Sequence, residues 1–371
     1  MKRKVLMTVL AAAMSLCSQA QPSEQFSIAT LNVDGLPQKL LMIDVNSDGP
    51  GSLGSLRIGR YLLQKDYDLV FTQEDFNYHD ELTFLLECDY RLDCWSGDVG
   101  IVGHHIDFLH LQNLRFECDG LGACWKNNVK VESADRTAWN TFFGKFSHAN
   151  DEMVTKGFRR YELTLAGGTP VVVYNMHMDA SDDADELEGN DAKDREARQG
   201  EWKQLLADIL DRLDERPVIV VGDLNSYYWR DDVENLFINA IAATGKATAS
   251  DVWVELEKGG VYPASAADDE VVDKIIYINP TNGVQLKALS FNLDKEGYLY
   301  EGQPLGDHYP VSATFEVKDD RKDATAISDV NAGIGEGNGS YYNFKGQRVK
   351  RPVNGLYIEQ KGKDARKRIV R

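Results

Sequence analysis

The sequence predicts an α/β fold on three observations: short apolar runs spaced along the chain, a clear amphipathic helix between two of them, and polar residues gathered directly after the runs. The runs Phe26 to Leu31, Asp68 to Thr72, Pro170 to Tyr174, Pro217 to Val221, Val272 to Ile278 and Val311 to Val317 read as buried strands. Between two of them, Trp202, Leu205, Leu206, Ile209, Leu210 and Leu213 recur at helical spacing, with charges on the other positions. With 371 residues, 43% of them hydrophobic, the chain can bury one large core or two ordinary ones, which excludes a disordered polymer.

The two ends differ from the body. Lys2, Arg3 and Lys4 precede an apolar run from Val5 to Leu16, and Ser18-Gln19-Ala20 offers a cleavage site before Gln21. Residues 1–20 are therefore expected to be a signal peptide, and the mature protein to be periplasmic, on the cell surface or extracellular. The run is shorter than the ~20 residues a membrane span needs, and no other segment qualifies once the signal is removed. In an oxidising compartment the remaining Cys88, Cys94, Cys118 and Cys124 predict two disulfides, Cys88 to Cys94 and Cys118 to Cys124. No CxxC pair or histidine cluster accompanies them, which disfavours a zinc site.

Residues 21–320 form the expected catalytic body. Residues 321–340, with Gly333, Gly335, Gly337 and Gly339, read as a flexible linker. Residues 341–371 are basic, and the alternation at Leu356 and Ile358 predicts a hairpin there. This tail resembles the short β-rich tails of exported bacterial proteins, which implies sorting or surface attachment. The net charge of −18 disfavours a tight, sequence-independent grip on duplex DNA, which relies on Lys and Arg. Nuclease activity is not excluded, because a bound cation can supply local positive charge.

The chemistry lies where the apolar runs stop. Asn32, Glu74, His177, and the pair Asp223 and Asn225 each follow one of them, which is where open α/β sheets place ligands. One aspartate after a strand is usually a turn residue; four such ends together point to a site. Glu74 is suited to a hard cation such as Mg²⁺. Asp223 and Asn225, two residues apart after Gly222, can face one ligand, Asp223 to activate or orient water and Asn225 to hold a phosphate oxygen. In Gly306-Asp307-His308-Tyr309, the adjacent side chains can diverge, Asp307 to a metal and His308 to a phosphate, with Asp273 fixing the histidine tautomer. His177 could stabilise transition-state oxygens or protonate a leaving group. His79, His104, His105, His110 and His148 are expected to be mostly structural or exposed, although His79 lies close to Glu74 in sequence.

The order of Thr30-Leu31-Asn32, Gln73-Glu74, Asn175-Met176-His177, Gly222-Asp223-Leu224-Asn225, Asp273 and Asp307-His308 resembles the endonuclease/exonuclease/phosphatase superfamily from about Phe26 to Val317. The resemblance implies a four-layer α/β sandwich with two central mixed β-sheets flanked by helices. It implies one Mg²⁺ site, open to Mn²⁺ or another divalent cation, with Glu74 as chief ligand and Asn32 and Asp307 assisting. Asp223, Asn225, His177 and the Asp273-His308 pair would surround the phosphate, with Asn32 also near it.

Two further elements, Asn32-Val33-Asp34-Gly35-Leu36-Pro37 and Thr155-Lys156-Gly157-Phe158, resemble the secreted sphingomyelinase C branch. That implies Lys156 beside the substrate phosphate; on residue type alone, an exposed surface lysine is as good a reading. The expected reaction is metal-assisted attack of water on phosphorus, in a phospholipid head group or another small phosphodiester. An extracellular nuclease acting on nucleic acid is the alternative, and an inactive binding protein fits the intact constellation poorly. Nothing in the sequence points to a protein partner. Trp125, Trp139, Phe142 and Phe143 are either core residues or an interfacial patch.

Overall fold

In a computed structural model of the chain, the described residues are 23–40, 43–98, 115–144, 151–181, 189–319, 340–342, 348–349, 355–361 and 364–370. The expected signal peptide, the glycine-rich part of the linker, and His104, His105, His110 and His148 lie outside them.

In chain order the strands begin with β1 (Gln25–Asn32), β2 (Lys39–Leu40), β3 (Ile43–Asp44), β4 (Leu69–Gln73), β5 (Tyr90–Leu92), β6 (Gly122–Lys126) and β7 (Lys130–Ala138). They continue with β8 (Gly157–Thr164), β9 (Pro170–His177), β10 (Val218–Asp223), β11 (Ala247–Asp251), β12 (Asp273–Pro280) and β13 (Gln285–Leu293). A hairpin of β14 (Leu299–Tyr300) and β15 (Gln303–Pro304) precedes β16 (Val311–Lys318).

Two six-stranded sheets result, β13-β16-β1-β4-β6-β5 and β11-β12-β10-β9-β8-β7. Each is built on the same plan: a parallel pair at the centre, β1 with β4 and β10 with β9, flanked by antiparallel strands. Alternation along the strands makes the layers. Phe26, Ile28, Leu69 and Phe71 of one sheet meet Val171, Val173, Ile219 and Val221 of the other in a shared core. On the outer face of the first sheet, Leu31 and Val70 pack against Ile58, Tyr61 and Leu62 of α1 (Gly51–Lys65) and Leu82 of α2 (His79–Thr83). On the outer face of the second, Val172, Tyr174, Val218 and Val220 pack against Trp202, Leu205 and Ile209 of α3 (Gly189–Asp211). Helix, sheet, sheet and helix make the expected four-layer sandwich.

The central strands were legible because burial on both faces makes them continuously apolar. Edge strand β7 is largely polar and exposed, so it carries no such signal. Trp125 and Trp139 are buried core residues rather than an interfacial patch.

The expected disulfides are not formed; all four cysteines are free thiols. Cys118 packs with Phe76, Phe116 and Val154, whereas Cys124 on β6 joins the cluster under α1. Between Cys88 and Cys94 the chain runs through extended β5, which carries the two apart. The tail forms four strands, β17 (Ser340–Tyr342), β18 (Arg348–Val349), β19 (Gly355–Lys361) and β20 (Asp364–Val370), in the antiparallel order β18-β17-β19-β20. The expected hairpin is its β19-β20 half.

Candidate active site

Strand register brings the candidate residues to one edge of the sandwich. The parallel β9-β10 pairing sets His177 beside Asp223, and antiparallel β12 sets Asp273 against Asp223 from the other side. In the first sheet, the parallel β1-β4 pairing aligns Asn32 with Gln73, so Glu74 leaves the sheet next to Asn32. Antiparallel β16 begins opposite Thr30, so the loop bearing Asp307 and His308 enters at the same edge. The carboxyl ends of both central parallel pairs therefore face one space.

A buried polar bridge fixes the two sheets beneath it. Gln73 Nε2 donates to Asn175 Oδ1 at 2.7 Å and to Thr30 Oγ1 at 3.0 Å. Asn175 Nδ2 in turn donates to the carbonyls of Thr72 and Gly122. Directly above, Asn32 Nδ2 donates to Glu74 Oε1 at 3.1 Å and to Asp223 Oδ2 at 3.0 Å, joining the carboxylates of the two sheets. Asn32 Oδ1 accepts the Asp34 amide at 3.0 Å. His177 Nε2 lies 3.5 Å from Asp223 Oδ2 and 3.9 Å from Glu74 Oε1. His308 Nε2 lies 3.7 Å from the same Asp223 oxygen, while its Nδ1 contacts Asp273 Oδ2 at 2.6 Å. Asn225 donates from its backbone to Asp223 Oδ1 and from Nδ2 to the Met178 carbonyl, both at 3.0 Å.

Backbone strain collects at this edge. Asp34, Glu74 and Asn225 have φ of 50°, 56° and 44°, which are half of the positive-φ non-glycine residues among those described. Two glycines permit close approach: a Cβ on Gly35 would lie 2.4 Å from the Glu74 carbonyl oxygen, and one on Gly222, whose φ is 144°, would lie 2.0 Å from that of Met176.

The two histidines are electrostatic opposites. His177 is 1% exposed, neither ring nitrogen has a hydrogen-bond partner, and burial with Lys156 nearby pushes its pKa down to about 3. Burial would also lower His308, yet Asp273 and Asp223 hold it well above the ordinary histidine value. Burial would raise Asp223, but the His308 charge and the Asn32 hydrogen bond together keep it below the ordinary aspartate range. Glu74 is pushed up to about 7 by burial, opposed by Lys156 and the Asn32 hydrogen bond.

Lys156, on residue type as easily a surface lysine, is 7% exposed. Its ammonium pairs with Asp151 and donates to the Met178 carbonyl at 3.2 Å, the carbonyl that also takes Asn225. Asp307 diverges from His308 and lines a cavity of about 870 Å³ with Asp34, Asn46, Asp48, Arg57, Tyr300 and Glu301. His79 stands apart from the constellation, contacting Asp75 at 2.6 Å and stacking on Trp95.

Among the described residues, one group of three has ligand atoms close enough together to hold a cation, and a second set of hard oxygen donors stands more widely spaced. Asp223, Asp273 and His308 have ligand atoms within 4.8 Å of one another. Asp273 Oδ2 is already committed to His308, however, so this trio is better suited to holding and moving a proton. Glu74, Asp34 and Asp307 are hard oxygen donors; burial, and after it their repulsion of one another, raises Glu74 to about 7 and Asp34 to about 6. A divalent cation would relieve that repulsion. Asp34, Asp151 and the Gln73-Asn175 bridge were not picked out from the sequence; no local pattern of residues marks them.

The sequence model of the Endonuclease/Exonuclease/phosphatase family matches residues 29–269. Proteins named sphingomyelinase from Mycobacterium bovis and Mycobacterium tuberculosis are 27% identical over 301 residues, 79% of this chain and 53% of theirs. The chain thus spans about half the length of the curated relatives it matches. A humanized D. rerio TDP2 superposes with a TM-score of 0.53 at 18% identity, covering 79% of this chain and 99% of that one. An endonuclease/exonuclease/phosphatase from Bacteroides vulgatus gives 0.52 at 16% identity, covering 80% and 100%. At these identities the structural likeness is one of fold. With the family's model matched over most of the catalytic body and the sandwich in place, the chain belongs to the Endonuclease/Exonuclease/phosphatase family.

Proposed function

We propose that the protein is an exported, Mg²⁺-supported phosphodiesterase that cleaves a phospholipid head group by attack of water on phosphorus. The observation that carries this reading is the meeting, at one edge of two sheets, of a low-pKa Asp223, a charged His308 held by Asp273, and a neutral, unpartnered His177. Asp223 stays ionised at neutral pH and accepts the proton of the attacking water as its oxygen bonds to phosphorus; the bond from phosphorus to the ester oxygen of the leaving alcohol breaks, and that oxygen departs with a proton from the His308 imidazolium. The His308 imidazolium and an N–H of His177 face the phosphoryl oxygens, where negative charge gathers as phosphorus becomes five-coordinate. Asn225, anchored through Met178, and the Lys156 ammonium behind it complete the polar wall.

Glu74 and Asp307 would hold the cation, with Asn32 as a strut, since as oriented its amide nitrogen faces Glu74 and its oxygen takes the Asp34 amide. When bound, the cation supplies neutralisation of a non-bridging phosphoryl oxygen. The likeness to sphingomyelinases and the acidity of the chain support a lipid head group over nucleic acid. Among the described residues no helix is long and apolar enough to cross a membrane. A panel of sphingomyelin, phosphoinositides, glycerophosphodiesters and DNA, run with Mg²⁺ and then EDTA, tests the proposal. Chelator-sensitive release of a phosphorylated head group is expected; robust DNA cleavage with no phospholipid turnover overturns the lipid reading.

A further inference from the structure

Glu74 lies in the left-handed region, at a φ of 56°, where a residue with a Cβ persists only when its surroundings fix it. On one side its own carbonyl accepts the amides of Gly35 at 3.0 Å and Phe76 at 2.8 Å. On the other side the fixing falls to Asp75, whose backbone and carboxylate are both engaged. The Asp75 amide donates to the Gly120 carbonyl at 2.8 Å, and its carbonyl accepts the Trp95 indole N–H at 2.7 Å. Its carboxylate, 2% exposed, meets His79 Nδ1 at 2.6 Å. A carboxylate only accepts, so Nδ1 carries the proton of that contact. Gly122 on β6 leaves the room this needs, since a Cβ there would lie 2.9 Å from Asp75 Oδ2.

The two partners of Asp75 brace each other. His79, the first residue of α2, and Trp95, just after β5, stack with ring centroids 5.0 Å apart and planes 7° from parallel. Trp95 is anchored through both of its neighbours. Arg159 on β8, 6% exposed, donates to the Cys94 carbonyl at 2.7 Å and to Asp93 Oδ2 at 2.8 Å. Ser96 Oγ accepts the amide of Asp119 at 3.1 Å, and the Asp119 carboxylate takes Arg159 Nε and Nη2, both at 2.8 Å. The turn bearing Glu74 is thus tied to α2, to the segment after β5 and, through Arg159, to the second sheet.

Resting on the reading of Glu74 as the cation's chief ligand, we infer that His79 and Trp95 are positioning residues, which act through Asp75 to hold the Glu74 carboxylate where it ligates the cation. Neither touches the reacting phosphate. Without the indole N–H or the imidazole donor, an Asp75 oxygen loses its partner and the turn at Glu74 relaxes toward an ordinary φ. The carboxylate then leaves its bearing on Asn32 Nδ2, 3.1 Å away, and cation binding has to restore it. Groups that orient a ligating carboxylate typically carry about 10–100-fold in metal affinity. Contacts that served the fold alone would change stability and leave that affinity untouched.

The test titrates Mg²⁺ into the metal-free protein by isothermal calorimetry, beside thermal unfolding in EDTA. Trp95→Phe keeps an aromatic ring against His79 and removes the indole N–H. His79→Leu removes the donor to Asp75, and His79→Asn returns an N–H near the position of Nδ1. Tyr61→Phe, which removes a 2.7 Å hydrogen bond to Asp294 beneath α1, is the control for stability alone. The Kd for Mg²⁺ is expected to rise about tenfold in Trp95→Phe and His79→Leu, and to return to within about threefold of wild type in His79→Asn. With a diester as substrate, kcat should fall at limiting Mg²⁺ and recover at saturating Mg²⁺, while KM for the diester stays unchanged. The control should lower Tm at the wild-type Kd. An unchanged Kd in both Trp95→Phe and His79→Leu, or an equal rise in Tyr61→Phe, overturns the inference while leaving the phosphodiesterase reading intact. Absence of Mg²⁺ binding by the wild-type protein overturns the inference and the cation assignment together.

Discussion

The site has two walls of different construction. The inner wall, Asn32, His177, Asp223 and Asp273, comes from the last or first rungs of central strands and is almost completely buried. The outer wall, Asp34, Asn46, Asp48, Glu301 and Asp307, is carried by loops and a two-residue hairpin turn and is largely open to water. The difference teaches how one frame can separate two tasks. Ladder hydrogen bonds fix the inner residues relative to one another, as proton transfer and charge stabilisation require. The outer residues sit on loops, where exchange disturbs the core least.

The largest expected effect falls on Asp223 of the inner wall and on His308, which the inner wall's Asp273 holds: Asp223→Asn or His308→Ala should lower kcat by about 10³-fold, with circular dichroism and Tm little changed. Retention of wild-type turnover in both would break the division of labour. Glu74→Gln comes next, with a loss on the order of 10²-fold and a loss of the response to added Mg²⁺, read by titrating the cation against rate. Gly222→Ala tests whether the inner wall is fixed by backbone packing. A Cβ 2.0 Å from the Met176 oxygen at a φ of 144° should cost about 2–4 kcal/mol in denaturant unfolding.

A pH series in EDTA gives a smaller effect whose sign distinguishes the two histidines. His177 has a folded pKa of about 3, below its unfolded value, so the unfolded chain binds the extra proton. Its neutral form therefore supports the fold fully above about pH 6.5, and that support declines as pH falls toward 3. His308 is raised instead, so the stability it gives is complete below about pH 6.5 and is lost as pH rises through its folded value. His177→Gln should flatten the acid limb of Tm against pH and His308→Gln the alkaline limb; the reverse pattern would refute the electrostatic contrast. On the outer wall, Asp48→Asn should change stability by no more than about 0.5 kcal/mol, measured by the same unfolding curves.

The inner wall was largely legible because its residues follow strands that announce themselves as apolar runs. The strand ends Asn32, Glu74, His177 and Asp223 could be named from that punctuation, and Asp273 and His308 from an acid and a base flanking the last two runs. Lys156 was legible only through its resemblance to a known family element, since nothing in residue type separates an exposed lysine from one buried against Asp151. The expected disulfides do not form, and sequence spacing does not say where a thiol packs: Cys118, in the irregular segment before β6, and Cys124, on β6, are close in the chain and belong to different clusters. Asp34 and the Gln73-Asn175 bridge were hidden for the same reason, as their partners lie on other elements.

By itself the sequence determined the layers of this protein and the edge at which its polar residues collect. Period-two burial and the breaks after apolar strands are local properties of the chain. Only the tertiary structure decided that the two edges coincide, that Asn32 ties Glu74 to Asp223, and that one histidine is charged while the other is not. Those outcomes depend on distances between strands of different sheets and on how much water each group loses, and neither is written in the neighbouring residues.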